Sequence, residues 1–130
     1  MKNVVIIIDS LSIRQCIGEQ LKWKGFNVLF FQHEQEILEN IEQIDFLIID
    51  PFVPLSLLNH PKPTINRGYE SGIHLIKILQ KISSSLKVLV YSSLSAQDLI
   101  EAGLSESIAR QSIRMPEKFE DILEKFTAIR

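Results

Sequence analysis

The sequence predicts an α/β fold with a parallel sheet, because short apolar runs alternate along the chain with segments of helical spacing. The strand-like runs are Asn3 to Ile8, Asn27 to Phe31, Asp45 to Ile49 and Leu86 to Tyr91. Runs of branched apolar residues are typical of central parallel strands that are buried on both faces. We therefore expect repeated βα units in three layers, with the sheet between two layers of helices.

Helical spacing marks the segments between these strands. The predicted helices span about Leu11 to Lys24, Glu34 to Ile41 and Ser71 to Ile82, and a last helix carries Phe119, Ile122, Leu123 and Phe126. In the first helix Ile13, Ile17 and Leu21 form an apolar stripe, and Trp23 at the edge of the stripe is expected to be half-buried. Gly25 supplies the left-handed residue that ends this helix.

Two segments depart from the regular alternation. A connection at about residues 54–71 is longer than most βα loops, and loops of this length are usually functional or mobile. From Gln97 to Arg114 a short helix is expected to end near Gly103, with a further turn at 104–110. The fifth strand, from Gln111 to Met115, is only weakly apolar.

Length and composition limit the classes of protein to which the chain can belong. Its 130 residues, of which 45% are hydrophobic, fit one domain over 1–130 with its own core and no attached output domain. The net charge of -2 gives no long-range attraction to nucleic acid or anionic lipid. The single Cys16 cannot form an internal disulfide, and the first apolar run is too short to span a membrane. We expect a cytoplasmic protein without direct nucleic-acid or membrane binding.

A carboxylate ends each of two apolar runs. Asp9 follows the run that begins at Val4, and Asp50 follows the run that begins at Phe46. Chemistry in parallel sheets gathers beyond the carboxyl ends of the strands, so these two acids and Ser92, after the fourth strand, predict one shared site. The simpler interpretation is that each acid caps a helix or fills a turn, and that Ser92 does the same.

The chain resembles the receiver domain of two-component response regulators over essentially its whole length. Four landmarks carry the resemblance: Asp9, the run Asp50-Pro51-Phe52-Val53-Pro54, the hydroxyl pair Ser92-Ser93, and Pro116 before the last helix. The run at Asp50 matches the family's Asp-x-x-Met-Pro pattern, with Val53 in place of Met. The resemblance implies a flavodoxin-like (CheY-like) three-layer sandwich whose five-stranded parallel sheet has the order 2-1-3-4-5.

The resemblance also implies roles for these residues. Asp50 would be the phosphoacceptor, and Asp9, Asp50 and the backbone carbonyl of Phe52 would bind Mg²⁺ with waters completing the octahedron. Ser92 would place its hydroxyl on a phosphoryl oxygen. The phosphoryl group would come from a histidine kinase, a phosphotransfer protein or a small phosphodonor.

Three positions depart from the family pattern. Ile8 stands where the first of two adjacent acids is usual, and Met115 stands where a Lys is usual. Ser112 stands at the position of the aromatic switch residue. The Mg²⁺ site is therefore expected to be weakened, and the usual relay from phosphate to surface is incomplete.

The resemblance with these departures predicts an atypical, stand-alone response regulator receiver in a phosphorelay, a phosphoprotein rather than an enzyme, with output through contact with a downstream protein. The alternative is a phosphorylation-independent pseudo-receiver that acts as a protein-binding module. Whether the chain forms a homodimer stays open at this point. A flavin protein and a haloacid-type phosphatase are poor fits, because Ser10-Leu11-Ser12 lacks the glycine of a phosphate loop and the second Asp of a phosphatase.

Overall fold

A computed structural model of the chain describes residues 2–31, 33–53 and 69–114. The strands are β1 Asn3–Ile7, β2 Asn27–Leu29, β3 Phe46–Ile49, β4 Lys87–Ser92 and β5 Ile113–Arg114. They pair in parallel in the order β2-β1-β3-β4-β5. The predicted order is confirmed, and the weakly apolar fifth strand is only two residues long.

The helices lie where helical spacing predicted them, with ends that differ by a few residues. They are α1 Leu11–Trp23, α2 Glu34–Glu39, α3 Tyr69–Ile82, α4 Ala96–Glu101 and α5 Glu106–Arg110, with a 3₁₀ turn at Ile41–Gln43. The predicted helix at Phe119 to Phe126 and most of the predicted loop at 54–71 lie outside the described residues. None of the helices in the described part of the chain has the length and hydropathy of a membrane span.

The sheet is covered on both faces, as the apolar runs predicted. Because successive side chains of a strand point to opposite faces, Val4 and Ile6 of β1 pack with Ile17 and Leu21 of α1. Val5 and Ile7 point the other way, into a second core. That core includes Ile37 of α2, Ile73, Ile76 and Leu79 of α3, and Leu99 of α4. The three-layer architecture is therefore confirmed.

The structure corrects the prediction for Trp23. Its side chain is 87% exposed rather than half-buried. An α-helix turns about 100° per residue, so Trp23 lies about 200° around the helix from the buried Leu21. The left-handed Gly25, at φ +91°, then turns the chain toward β2 without covering the indole ring. Cys16, which also flanks the stripe, is exposed.

Candidate functional site

The carboxyl ends of three neighbouring strands bring Asp9, Asp50 and Ser92 to one edge of the sheet. Ile49, the last residue of β3, lies opposite Ile7 of β1 on one side. On its other side Ile49 lies opposite the residue two positions before Ser92 in β4. The ladder continues one step beyond β3, since the Asp50 N–H donates to the Ile7 carbonyl at 2.9 Å. The shared site that the sequence predicted therefore has a structural basis in the register of the sheet.

Asp50 is a half-buried carboxylate in a tight turn. Its Oδ1 accepts a hydrogen bond from the Phe52 N–H at 3.1 Å. Burial raises the pKa of the Asp50 carboxyl, and the negative charge of Asp9 adds to the rise, while the bond from Phe52 opposes it. The effect of Asp9 on this pKa means that the two carboxylates act on each other electrostatically. Burial beside a like charge disfavours ionisation of Asp50, and a bound cation would relieve that cost.

Asp9 presents an exposed carboxylate just beyond β1, before α1 begins. Within the described part of the chain, no side chain or backbone group donates a hydrogen bond to it. The neighbouring Ser10 caps α1 instead, with its hydroxyl oxygen accepting from the Ile13 N–H at 3.4 Å. The helix cap therefore belongs to Ser10, and the interpretation of Asp9 as a helix cap is excluded.

Ser92 ends β4 and is completely buried. Its Oγ accepts a hydrogen bond from the Leu94 N–H at 3.1 Å, two residues along the chain. The cap of α4 is a different serine, Ser95, whose Oγ accepts from the Asp98 N–H at 3.1 Å. A hydroxyl that moved from Leu94 toward the site would release the backbone of the loop that leads into α4.

The turn after β3 is fixed by backbone contacts. The Val53 N–H donates to the Pro51 carbonyl at 2.8 Å, and the predicted metal ligand, the carbonyl of Phe52, lies within this turn. On the other side the turn meets Gly72 of α3, where an added Cβ would overlap the Pro51 carbonyl oxygen. Only glycine allows so close an approach. Without the fold, nothing in the sequence linked Gly72 to Pro51.

The structure also shows how two of the three departures from the family pattern are accommodated. Ile8, at the position of the missing acid, is buried in the core on the α1 face. Ser112, at the position of the aromatic switch, donates from Oγ to the Ala109 carbonyl at 2.6 Å. Met115, at the position of the missing Lys, lies outside the described residues, as do Pro116 and the last helix.

The donors at this edge suit a hard divalent cation. The carboxylates of Asp9 and Asp50 would supply two oxygen ligands, and burial together with the charge of Asp9 raises the pKa of Asp50. Among the described residues no group of three His, Cys, Asp or Glu side chains could hold a metal ion. A cation here would have two protein carboxylates, so backbone carbonyl and water oxygens would complete its shell.

Solved structures of receiver domains match this architecture over nearly the whole chain. A response regulator from Thermotoga maritima is 23% identical with a TM-score of 0.70, and the match covers 99% of this chain and 97% of that chain. A receiver domain protein (CheY-like) from Methanospirillum hungatei is 18% identical with a TM-score of 0.69, covering 98% of this chain and 92% of that one. The chain has the receiver fold.

A third match is the response regulator TrrA from Thermotoga maritima in complex with Mg²⁺-BeF. It is 20% identical to this chain, with a TM-score of 0.68 and complete coverage, 100%, of both chains. No family model matches the sequence, and no curated protein matches it. The structural matches thus confirm the predicted flavodoxin-like architecture. At these low sequence identities, the roles of single residues stay predictions.

Proposed function

We propose that this chain is a stand-alone response regulator receiver: Asp50 accepts a phosphoryl group with Mg²⁺, and output is through contact with another protein. The observation that carries the proposal is the meeting of Asp9, Asp50 and Ser92 at one edge of a receiver fold. The raised pKa of Asp50 supports it, because perturbed carboxyl groups are concentrated at functional sites.

Asp50 would act as the nucleophile. The Phe52 N–H occupies Oδ1, so Oδ2 is the oxygen that forms the new bond to phosphorus. The bond from phosphorus to the donor breaks at the same centre. From a phosphohistidine this is the P–N bond, whose electron pair stays on the imidazole, and that ring then takes up a proton. The product on the chain is an acyl phosphate of Asp50.

Mg²⁺, held by Asp9, Asp50 and the carbonyl of Phe52, would neutralise negative charge on the phosphoryl oxygens. Two charged groups of the family pattern are missing from this site, and their charges are opposite. Relative to the family pattern, the chain lacks one carboxylate at Ile8 and one ammonium at Met115. The net charge at the site is then the same as in the usual pattern, although the phosphoryl group loses its ammonium partner.

Ser92 would carry the signal away from the site. Its buried hydroxyl would turn from its present bond with the Leu94 N–H toward a phosphoryl oxygen. Loss of that bond would free the loop that leads into α4, where Ser95 and Asp98 form the capping box. Because Ser112 has no ring to move, we propose that this loop, rather than an aromatic switch, carries the change to a partner protein.

The test is phosphorylation by a small donor. The protein is incubated with acetyl phosphate and Mg²⁺, and intact mass is measured for a labile phosphoryl adduct. We expect an adduct on the wild type and on Asp45→Asn, a matched variant at the other end of β3, and none on Asp50→Asn. An adduct that survives in Asp50→Asn contradicts the proposal, as does its absence when a cognate kinase is supplied.

The second candidate is a pseudo-receiver that binds a partner without phosphorylation. The observations in its favour are the burial of Ile8, which gives the site no third acid, and the engagement of Ser112 with Ala109. Beryllofluoride with Mg²⁺ distinguishes the two, since it mimics an acyl phosphate. Shifts of the amide signals of Asp50, Ser92 and Leu94 support the receiver, and unchanged signals at millimolar Mg²⁺ support the binding module.

A further inference from the structure

The turn between β1 and α1 sets where Asp9 points. The Asp9 carboxylate receives no hydrogen bond from the described residues, so its direction depends on the backbone that carries it. Ser10 holds the helix side of this turn by capping α1. On the strand side of the turn, the Ile8 carbonyl is held by a side chain of the first turn of α1.

Arg14, in the first turn of α1, reaches back to this backbone. Its Nη1 donates to the Ile8 carbonyl at 3.1 Å, while its own N–H donates to the Ser10 carbonyl at 3.0 Å. The two bonds join the residue before Asp9 and the residue after it to a single side chain and its backbone. Half-buried Arg14 therefore holds the turn on both sides of Asp9, with its guanidinium group before Asp9 and its backbone N–H after it.

Phe30 lies beside the Arg14 guanidinium group. The guanidinium carbon of Arg14 is 6.0 Å from the centroid of the Phe30 ring, within reach of a cation–π contact. The ring in turn rests on α1 at Gly18, where an added Cβ would be 2.9 Å from the ring atom Cζ. Glycine at 18 thus makes room for the ring, and the ring faces the guanidinium group that holds Ile8.

We propose that Arg14 is a positioning residue for the cation site, which holds the Ile8 carbonyl and so aims the Asp9 carboxylate at Asp50, with Phe30 supporting the guanidinium group. This inference rests on the proposed function, because it needs a cation bound by Asp9 and Asp50. Arg14 does not touch the cation. Its contribution is made through the backbone that carries Asp9.

Two roles of Arg14 predict opposite effects on Mg²⁺ affinity. If its positive charge acted mainly through space, Arg14→Gln would remove a repulsion and tighten Mg²⁺ binding. If it acts by positioning Asp9, Arg14→Gln weakens binding by about tenfold, the lower end of the range for residues that orient metal ligands. Arg14→Lys keeps the charge but lacks the planar fork and its ring contact, so we expect it to weaken binding as well.

The experiment is a Mg²⁺ titration of the full chain followed by amide NMR signals, on the wild type, Arg14→Gln, Arg14→Lys and Phe30→Leu. Arg110→Gln is the matched control, because Arg110 is an exposed helical arginine whose Nε bonds Glu106 at 2.6 Å. We expect unchanged affinity in Arg110→Gln and a loss of about two- to threefold in Phe30→Leu, between those of the control and of Arg14→Gln.

A second readout needs no metal. The amide signal of Asp9 reports the hydrogen bond to the Ile8 carbonyl that precedes it, and it should move in both Arg14 variants and stay in place in Arg110→Gln. Equal or tighter Mg²⁺ binding by Arg14→Gln, with the wild type binding normally, overturns the inference alone. A wild type that binds no Mg²⁺, or binds it equally well as Asp50→Asn, overturns the proposed function together with the inference.

Discussion

An aspartate flanks each end of β3, and the two aspartates have very different surroundings. Asp45 comes just before the strand, and its Oδ2 accepts a hydrogen bond from the Asn3 backbone N–H at 2.8 Å. The Asn3 side chain continues the network, donating to the Gln43 carbonyl at 2.6 Å and accepting from the Asn27 side chain at 2.8 Å. At the other end the Asp50 carboxylate accepts one hydrogen bond from the described residues, that of the Phe52 N–H in its own turn, and its pKa is raised.

The comparison separates an acid that stabilises the fold from one that we propose to be reactive. Asp45 ties β1 to the start of β3 and lies in a network that includes β2, so its charge is used for structure. Asp50 is half-buried near the negative charge of Asp9, so its ionisation costs stability, and a bound cation would offset that cost. Residue type and strand are the same at both ends. The difference lies in what the neighbouring strands and turns supply.

The largest effect on stability is expected from packing at the Asp50 end of β3. Gly72→Ala would make a Cβ overlap the Pro51 carbonyl oxygen, and backbone atoms cannot move away as the end of a flexible side chain can. We expect a loss of about 3 kcal/mol in the free energy of unfolding, measured with urea. In the control Gly18→Ala the atom nearest to the new Cβ is Cζ at the tip of the Phe30 ring, at 2.9 Å, and Val28 and Ile6 lie at ordinary contact distance, so the loss should stay below about 1 kcal/mol. Equal stability of Gly72→Ala and the wild type would show that α3 does not rest on the turn after Asp50.

An intermediate effect on stability is expected at the Asp45 end of β3. Asp45→Ala leaves the Asn3 N–H without its charged acceptor, and we expect a loss of about 2 kcal/mol in the free energy of unfolding. Asp45→Asn keeps an amide oxygen in place and should lose less. Urea unfolding at neutral pH measures both variants beside Asp50→Ala. If Asp50→Ala lost as much as Asp45→Ala, the contrast between the two ends of β3 would be wrong.

The smallest effect is a pH dependence at Asp50 with an unusual sign. Burial, with a contribution from Asp9, raises its pKa above the ordinary value of 3.8, so the native state binds the proton more tightly than the unfolded chain does. The stability from this group is complete below that value and is lost as the pH rises through the folded pKa. Asp50→Asn removes the loss, so it should be more stable than the wild type at pH 7.

This stability gain should shrink as the pH falls through the raised pKa of folded Asp50 toward 3.8, because the wild-type carboxyl takes up its proton over that range. Thermal unfolding of both proteins across this pH range measures it. The Asp9→Asn variant serves as a check, because without the neighbouring charge the pKa of Asp50 should fall. A gain for Asp50→Asn that grows toward low pH would mean that the sign of the shift is wrong.

Patterns local in sequence predicted most of the fold. The runs of branched apolar residues predicted β1 and β3, because a central strand of a parallel sheet is buried on both faces. The same argument predicted that Asp9 and Asp50 lie at one edge of the sheet. The prediction that Trp23 is half-buried was wrong, because a position at the edge of an apolar stripe does not show whether another element covers it. Here the side chain is exposed.

Contacts between distant parts of the chain could not be predicted in this way. The approach of Gly72 to Pro51 depends on where α3 enters the layer, and the bond from Arg14 to Ile8 depends on one rotamer of a long side chain. Neither has a periodic signal. The positions that depart from the family pattern were visible in the sequence, but the burial of Ile8 and the bond from Ser112 to Ala109 required the fold.

The central claim is that Asp9 and Asp50 form one cation site while Asp45 does not. It is tested most directly by the stabilisation that Mg²⁺ gives to the wild type, Asp9→Asn, Asp50→Asn and Asp45→Asn at neutral pH. At ten times its dissociation constant Mg²⁺ should add about 1.4 kcal/mol to the free energy of unfolding of the wild type. Asp45→Asn should gain as much from a lower starting point, and Asp9→Asn and Asp50→Asn should gain little. An equal gain in all four proteins, or none in the wild type, would contradict the account.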